Sequence, residues 1–112
     1  MNQIDLFAEV IASYQKHGWE LQRLLLRPET QSEMGTRVAE LSAPVRIYES
    51  LVDALWFARP SHGDRVAWEL RLVAETPYAL FETFEADESE EEREDVRREM
   101  EARLRHYANV AD

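Results

Sequence analysis

Between Arg65 and Ala74 the chain alternates without a break: Val66, Trp68, Leu70 and Leu72 face one way, Ala67, Glu69 and Arg71 the other. A period of two puts successive side chains on opposite sides of a pleated backbone, so this stretch is a strand. A strand needs neighbours, and the sequence offers three more. Trp19 to Arg27 (WELQRLLLR) alternates in its first half, with Trp19 and Leu21 against Glu20 and Gln22. It then turns apolar on both faces at Leu24-Leu25-Leu26 and stops before Pro28. Val52 to Arg59 (VDALWFAR) is apolar and aromatic on both faces, and Tyr78 to Phe84 (YALFETF) is a further strand despite Glu82 on its apolar side. Turn residues at 60–64 and 75–77 separate the last three runs, which predicts an antiparallel meander.

Helical periodicity flanks these strands. In residues 3–17, Ile4, Phe7, Val10, Ile11 and Tyr14 recur at steps of three and four and form one stripe. Asn2 can cap the start, Lys16 and His17 suit the negative end of the dipole, and Gly18 can take the left-handed stop. Ser89 with Glu92 matches a capping box, and the helix over 89–108 carries a narrow seam of Val96, Met100, Leu104 and Tyr107. Residues 28–43 read as a long polar loop with one short helix near 36–41, and 44–50 as a short strand or extended segment.

The order predicts a single α+β domain over residues 1–112: a mostly antiparallel sheet of about four strands, with an N-terminal and a C-terminal helix on one face. The length suits one domain, and 45% apolar residues can fill a core without staples. Cysteine is absent, which excludes disulfides and thiolate metal sites and fits a reducing compartment. The start, MNQIDLFAEV, has acids where a leader needs bases, and no run is long and apolar enough to span a bilayer. A soluble cytoplasmic protein is the expectation.

Net charge is −10, and residues 85–101 hold ten acids against three arginines, a net −7. That field repels phosphate backbones, so direct nucleic-acid binding is disfavoured. The acid run also suits a solvated helix face, because Glu94–Arg98, Glu99–Arg103 and Glu101–Arg105 are favourable spacings. Twelve of the thirteen bases are arginine, which reads as composition bias.

Reactive constellations are missing. The three histidines (His17, His62, His106) share no metal-ligand spacing, the three glycines are isolated, and there is no nucleophile motif. Glu91, Glu94 and Asp95 could be spaced for a divalent ion, but an open helix face offers poor geometry. No catalytic residue, cofactor or metal ligand is therefore expected. The sequence points away from an enzyme.

What it offers instead is a surplus of apolar side chains. Two helices can shelter one sheet face, while the strands at 19–27 and 52–59 present Leu and aromatic residues to the other. The cover could be segment 28–50, a second copy or another protein. The expected function is a small, non-catalytic acidic binding or adaptor protein, with a protein partner or homodimer. Its candidate surface is Leu24, Leu26, Leu55 and Phe57 on the sheet and Glu91, Glu94 and Asp95 on the acidic helix. One alternative is a small-ligand binder or enzyme with a pocket between the sheet and segment 28–50, built from Glu20, Glu69 and Glu82. Another is an acidic mimic of nucleic acid. In size, acidity and α/β alternation the chain also resembles bacterial secretion chaperones, a class-level resemblance that implies a chaperone-like binding role.

Overall fold

In the computed structural model, which describes residues 2–42 and 45–108, Asn2 starts the first helix as its position predicts. Its side chain accepts from the N–H of Asp5, and α1 runs Gln3–Lys16. Gly18 follows at φ 86°, a conformation that only glycine takes cheaply, and turns the chain into β1 (Glu20–Leu26). The segment read as a loop is helical instead. Pro28 opens α2 (Pro28–Met34) at a position where a missing N–H costs nothing. Gly35 closes it, a 3₁₀ turn covers Gly35–Val38, and α3 is Ala39–Ser42. Ala43, the end of the expected loop, and Pro44, the start of the segment expected to be extended, lie outside the described residues. Then come β2 (Arg46–Glu49), β3 (Ala54–Pro60), β4 (Val66–Leu72), β5 (Tyr78–Phe84) and α4 (Glu90–Tyr107). The capping box forms, with the Ser89 side chain on the Glu92 N–H and the Glu92 carboxylate on the Ser89 N–H.

The chain is α+β, and its sheet is mostly antiparallel. Among the described residues it has five strands, in the order β2-β1-β3-β4-β5. The meander β3-β4-β5 is antiparallel throughout, as the turns imply, and β2 pairs parallel with β1. A parallel neighbour requires a long crossover, and α2, the 3₁₀ turn and α3 provide it.

The two terminal helices do not share a face. α1 packs Phe7, Val10 and Ile11 over Leu24, Leu26, Leu55 and Phe57, and Met34 of the crossover joins the same cluster. α4 packs Met100 and Leu104 over Leu25, Ala54, Trp56, Leu70 and Leu80 on the other side. The reason is the composition of β1 and β3, whose two apolar faces each need a cover. The surplus that suggested a companion chain is thus sheltered by the chain itself. Trp56 is fully buried, and its indole N–H donates to Glu101 at 2.9 Å, so the polar atom of the largest core side chain is satisfied. Among the described residues, no helix is long and apolar enough to cross a membrane.

Candidate functional site

A bulge in β1 shapes one wall of a depression on the surface. Leu21 pairs with Phe57 and Arg23 with Trp56, so Gln22 is an extra residue opposite none. Past a bulge the parity of a strand is reversed. Leu21 therefore faces α1, Gln22 and Arg23 both line the cleft on the α4 side, and Leu24 and Leu26 return to the α1 core. The triple leucine is apolar on both faces by simple alternation, Leu25 packing on the α4 side between Leu24 and Leu26.

Arg23 meets α4 there. Its guanidinium binds Glu94 twice, at 2.9 and 3.2 Å. Glu94 also accepts from Arg97 at 2.9 Å, and Arg97 donates to Glu90 at 2.8 Å. Arg97 is 2% exposed and lies 4.0 Å from the centre of the Trp68 ring and 5.3 Å from that of Phe84. Desolvation of a cation is tolerated here because two carboxylates and two ring faces replace water. Hydrogen bonds from Arg97 hold the Glu90 carboxyl below its usual range. Burial works to raise Glu94, but hydrogen bonds from Arg23 and Arg97 overcome it and hold Glu94 low as well. Both acids stay ionised at neutral pH.

Around this clasp opens a cleft of about 620 Å³ lined by β1, β3, β4, the turn after β3 and the first half of α4. Five arginines are among the residues that line it, Arg23, Arg59, Arg65, Arg93 and Arg97, of which Arg59 carries its side chain on the α1 side of β3, over Trp19. The acids in its lining are Glu20, Asp64 and Glu90. Not all of the arginines are neutralised. Arg59 lies 4.5 Å over the Trp19 ring and donates to the carbonyl of His17; Arg93 lies over Phe84 and donates to the carbonyl of Glu85. Among the described residues neither guanidinium has a carboxylate partner. Arg65 is half exposed and meets Glu85 only at 3.7 Å. In a chain of net −10, the cleft is a local reversal of sign.

The residues singled out from sequence fall elsewhere. Leu24, Leu26, Leu55 and Phe57 have no exposed surface and form the core beneath α1, so they are not an interaction surface. Glu91 and Asp95 are exposed on α4, and Asp95 pairs with Arg98. Glu94 does not pair with Arg98; it turns inward as the centre of the clasp. Glu20, Glu69 and Glu82 do not converge. Glu20 lines the cleft and Glu82 lies three strands away along the row Glu20–Ala58–Trp68–Glu82. Glu69 points to the α1 side, where it accepts from the Tyr14 hydroxyl. Burial, then the hydrogen bond and charge of Glu69, push the Tyr14 phenol up to about 12, so it stays protonated at neutral pH. The core beneath segment 28–42 is filled by Met34, Leu24, Leu26 and Phe57. Among the described residues no group of three His, Asp or Glu could hold a metal ion.

Sequence reading missed Arg23, Arg59, Arg93 and Arg97. The one local signal was the break in alternation at Gln22-Arg23. No protein-family model, curated protein or solved structure matches this chain. The cleft's own chemistry carries the functional argument.

Proposed function

We propose that this protein is a non-catalytic binding protein that holds an acidic segment of a partner protein in its arginine-lined cleft. The observation that supports the reading is Arg93, a lining residue whose guanidinium meets the Phe84 ring and the Glu85 carbonyl but, among the described residues, no carboxylate, beside the half-exposed Arg65, whose contact with Glu85 is 3.7 Å long. Guanidinium is suited to carboxylate because its planar fork donates two parallel hydrogen bonds. The apolar lining of Ala58, Pro60, Val66 and Trp68 lets a bound chain bury the stems of its acidic side chains beside the charges. The chain's negative net charge excludes acidic ligands elsewhere on its surface, so the cleft selects by position as well as by charge.

Titration of the protein with an oligo-glutamate peptide, followed by amide chemical shifts, tests this. Binding should displace amides around residues 20–23, 58–68 and 90–97, and should weaken as salt rises. The double variant Arg65→Gln, Arg93→Gln should weaken it about tenfold or more. Its circular dichroism should remain that of the parent. Equal affinity of parent and double variant, or shifts confined to another surface, would refute the proposal.

A further inference from the structure

The sheet ends at β5, and that end is open. β5 pairs with β4 through seven consecutive residue pairs, Val66–Phe84 to Leu72–Tyr78, without a register shift. Among the described residues no strand lies on its other side. An uncovered edge is a row of unpaired N–H and C=O groups, and proteins usually blunt it with lysine, proline, a bulge or a short strand. β5 is seven residues long, regular, and free of Lys, Arg and Pro, and its one charged side chain is Glu82. The opposite edge, β2, is only four residues long and carries Arg46.

The side chains along β5 give the edge two different faces. On the α1 side Phe81 is 57% exposed, with its ring edge-on to Trp19 at 6.3 Å. On the α4 side Glu82 is exposed opposite Trp68. The stretch 74–88 holds five acids, Glu75, Glu82, Glu85, Asp87 and Glu88, and no base. Of these, only Glu85 forms an ion pair among the described residues, with Arg65.

We propose that the open edge of β5 takes an extended segment of another protein whose side chains alternate basic and apolar. Its backbone would continue the ladder, its apolar residues would cover Phe81, and its basic residues would sit on the face of Glu82. Charge decides between this occupant and a second copy of the chain. Self-pairing would bring Glu82 of each copy onto one seam, with the flanking acids Glu75, Glu85, Asp87 and Glu88 close to its ends, and like charges beside a ladder are destabilising. A basic strand meets the same acids with the right sign. This site uses none of the residues that line the arginine cleft.

The probe is a blocked peptide of about eight residues alternating Lys and Val, with a copy N-methylated at alternate amides and a Glu/Val copy as controls. The Lys/Val peptide should bind and slow hydrogen exchange at the amides of residues 78–84. N-methylation should weaken it about tenfold or more, since it leaves charge and side chains intact but removes the ladder. Glu82→Lys and Phe81→Ser should each weaken it about fivefold or more, with circular dichroism unchanged. Equal binding of the N-methylated peptide would show that charge alone holds it, and would overturn the proposal, as would no binding near 1 mM. So would sedimentation showing a dimer that Phe81→Ser dissociates, because the edge would then belong to a second copy. None of these outcomes depends on Arg65 or Arg93, so the two sites can fail separately.

Discussion

Changing Glu94 to Gln removes one charge and leaves the side chain's shape, which makes it a sharp probe of the clasp. Two guanidiniums rest on that carboxylate. The exposures of the side chains are 16% for Arg23, 32% for Glu94, 2% for Arg97 and 70% for Glu90. Breaking a fully buried pair by removing one partner costs about 3–5 kcal/mol, because the other charge is stranded away from water. Here Arg97 keeps Glu90 and Arg23 keeps the rings of Tyr48 and Trp68, so the cost falls to about 3 kcal/mol. Glu90→Gln is the control. Its carboxylate is mostly in water, and an exposed pair contributes about 0.5 kcal/mol. With an unfolding entropy of about 2.1 cal/mol/K per residue over 112 residues, Glu94→Gln should lower Tm by about 13 °C and Glu90→Gln by about 2 °C. Urea unfolding followed by tryptophan fluorescence gives the free energies directly, since Trp68 lies against the clasp.

The clasp also fixes how stability responds to acid. Both carboxyls titrate lower in the folded protein than the ordinary 4.5, so the unfolded chain takes up protons first as pH falls. Their contribution is complete above 4.5 and is lost as pH drops through the folded values. Glu94→Gln should therefore lose stability at neutral pH and show a shallower decline below 4.5 than the parent. The reasoning fails if Glu94→Gln costs no more than Glu90→Gln, or if the acid limb keeps its slope.

Three further outcomes follow from the same structure. Asp53, almost fully buried, accepts from Gln3, from the backbone N–H and Nε of Arg27, and from the Thr30 hydroxyl, tying β1 and α2 to β3. Asp53→Ala strands those donors and should cost about 3 kcal/mol in urea unfolding, and Asp53→Asn less. One of the four tyrosines should titrate at about 12 by ultraviolet absorbance and disappear in Tyr14→Phe. Because the folded value lies above the unfolded 10, the stability that Tyr14 contributes is complete below pH 10 and is lost as pH rises towards 12. Deleting Gln22 should heal the ladder, since Leu21 and Arg23 already lie on opposite faces; the cost should stay under about 1 kcal/mol, whereas deleting Leu25 would flip a paired strand and unfold the protein.

Which features could be read from sequence depends on the range of the physics behind them. Asn2, Gly18 and the Ser89–Glu92 box act within one helical turn, and each appears where its spacing places it. The alternation of β4 is equally local. The parallel pairing of β2 depends on where a crossover delivers the chain, and nothing in Arg46–Glu49 encodes it. α4 misled for a subtler reason. Its buried residues are Arg97, Met100 and Leu104, a stripe of spacing three and four that begins with a charge. A pattern counted in apolar residues replaces Arg97 with its neighbour Val96 and leaves the arginine in solvent. Only the juxtaposition of Trp68, Phe84 and two carboxylates makes that position habitable for a cation.

The arginine excess gains a physical account at the same place. Twelve of thirteen bases are arginine, and five of those twelve lie over aromatic rings: Arg23, Arg46, Arg59, Arg93 and Arg97. A planar, weakly hydrated guanidinium can lie flat on a ring while its edge donates to carboxylates or carbonyls, which an ammonium cannot do. The Nε atoms of Arg93 and Arg97 are buried and unpartnered, a cost accepted with these cations packed against rings. Lysine at position 97 would keep the charge but lose the stacking and the two-carboxylate grip. It should be nearly as destabilising as a neutral side chain there. For Arg23, Arg93 and Arg97 the packing is against rings on the α4 face of the sheet and holds these cleft charges in place, while Arg59 makes the same kind of contact with Trp19 on the α1 side.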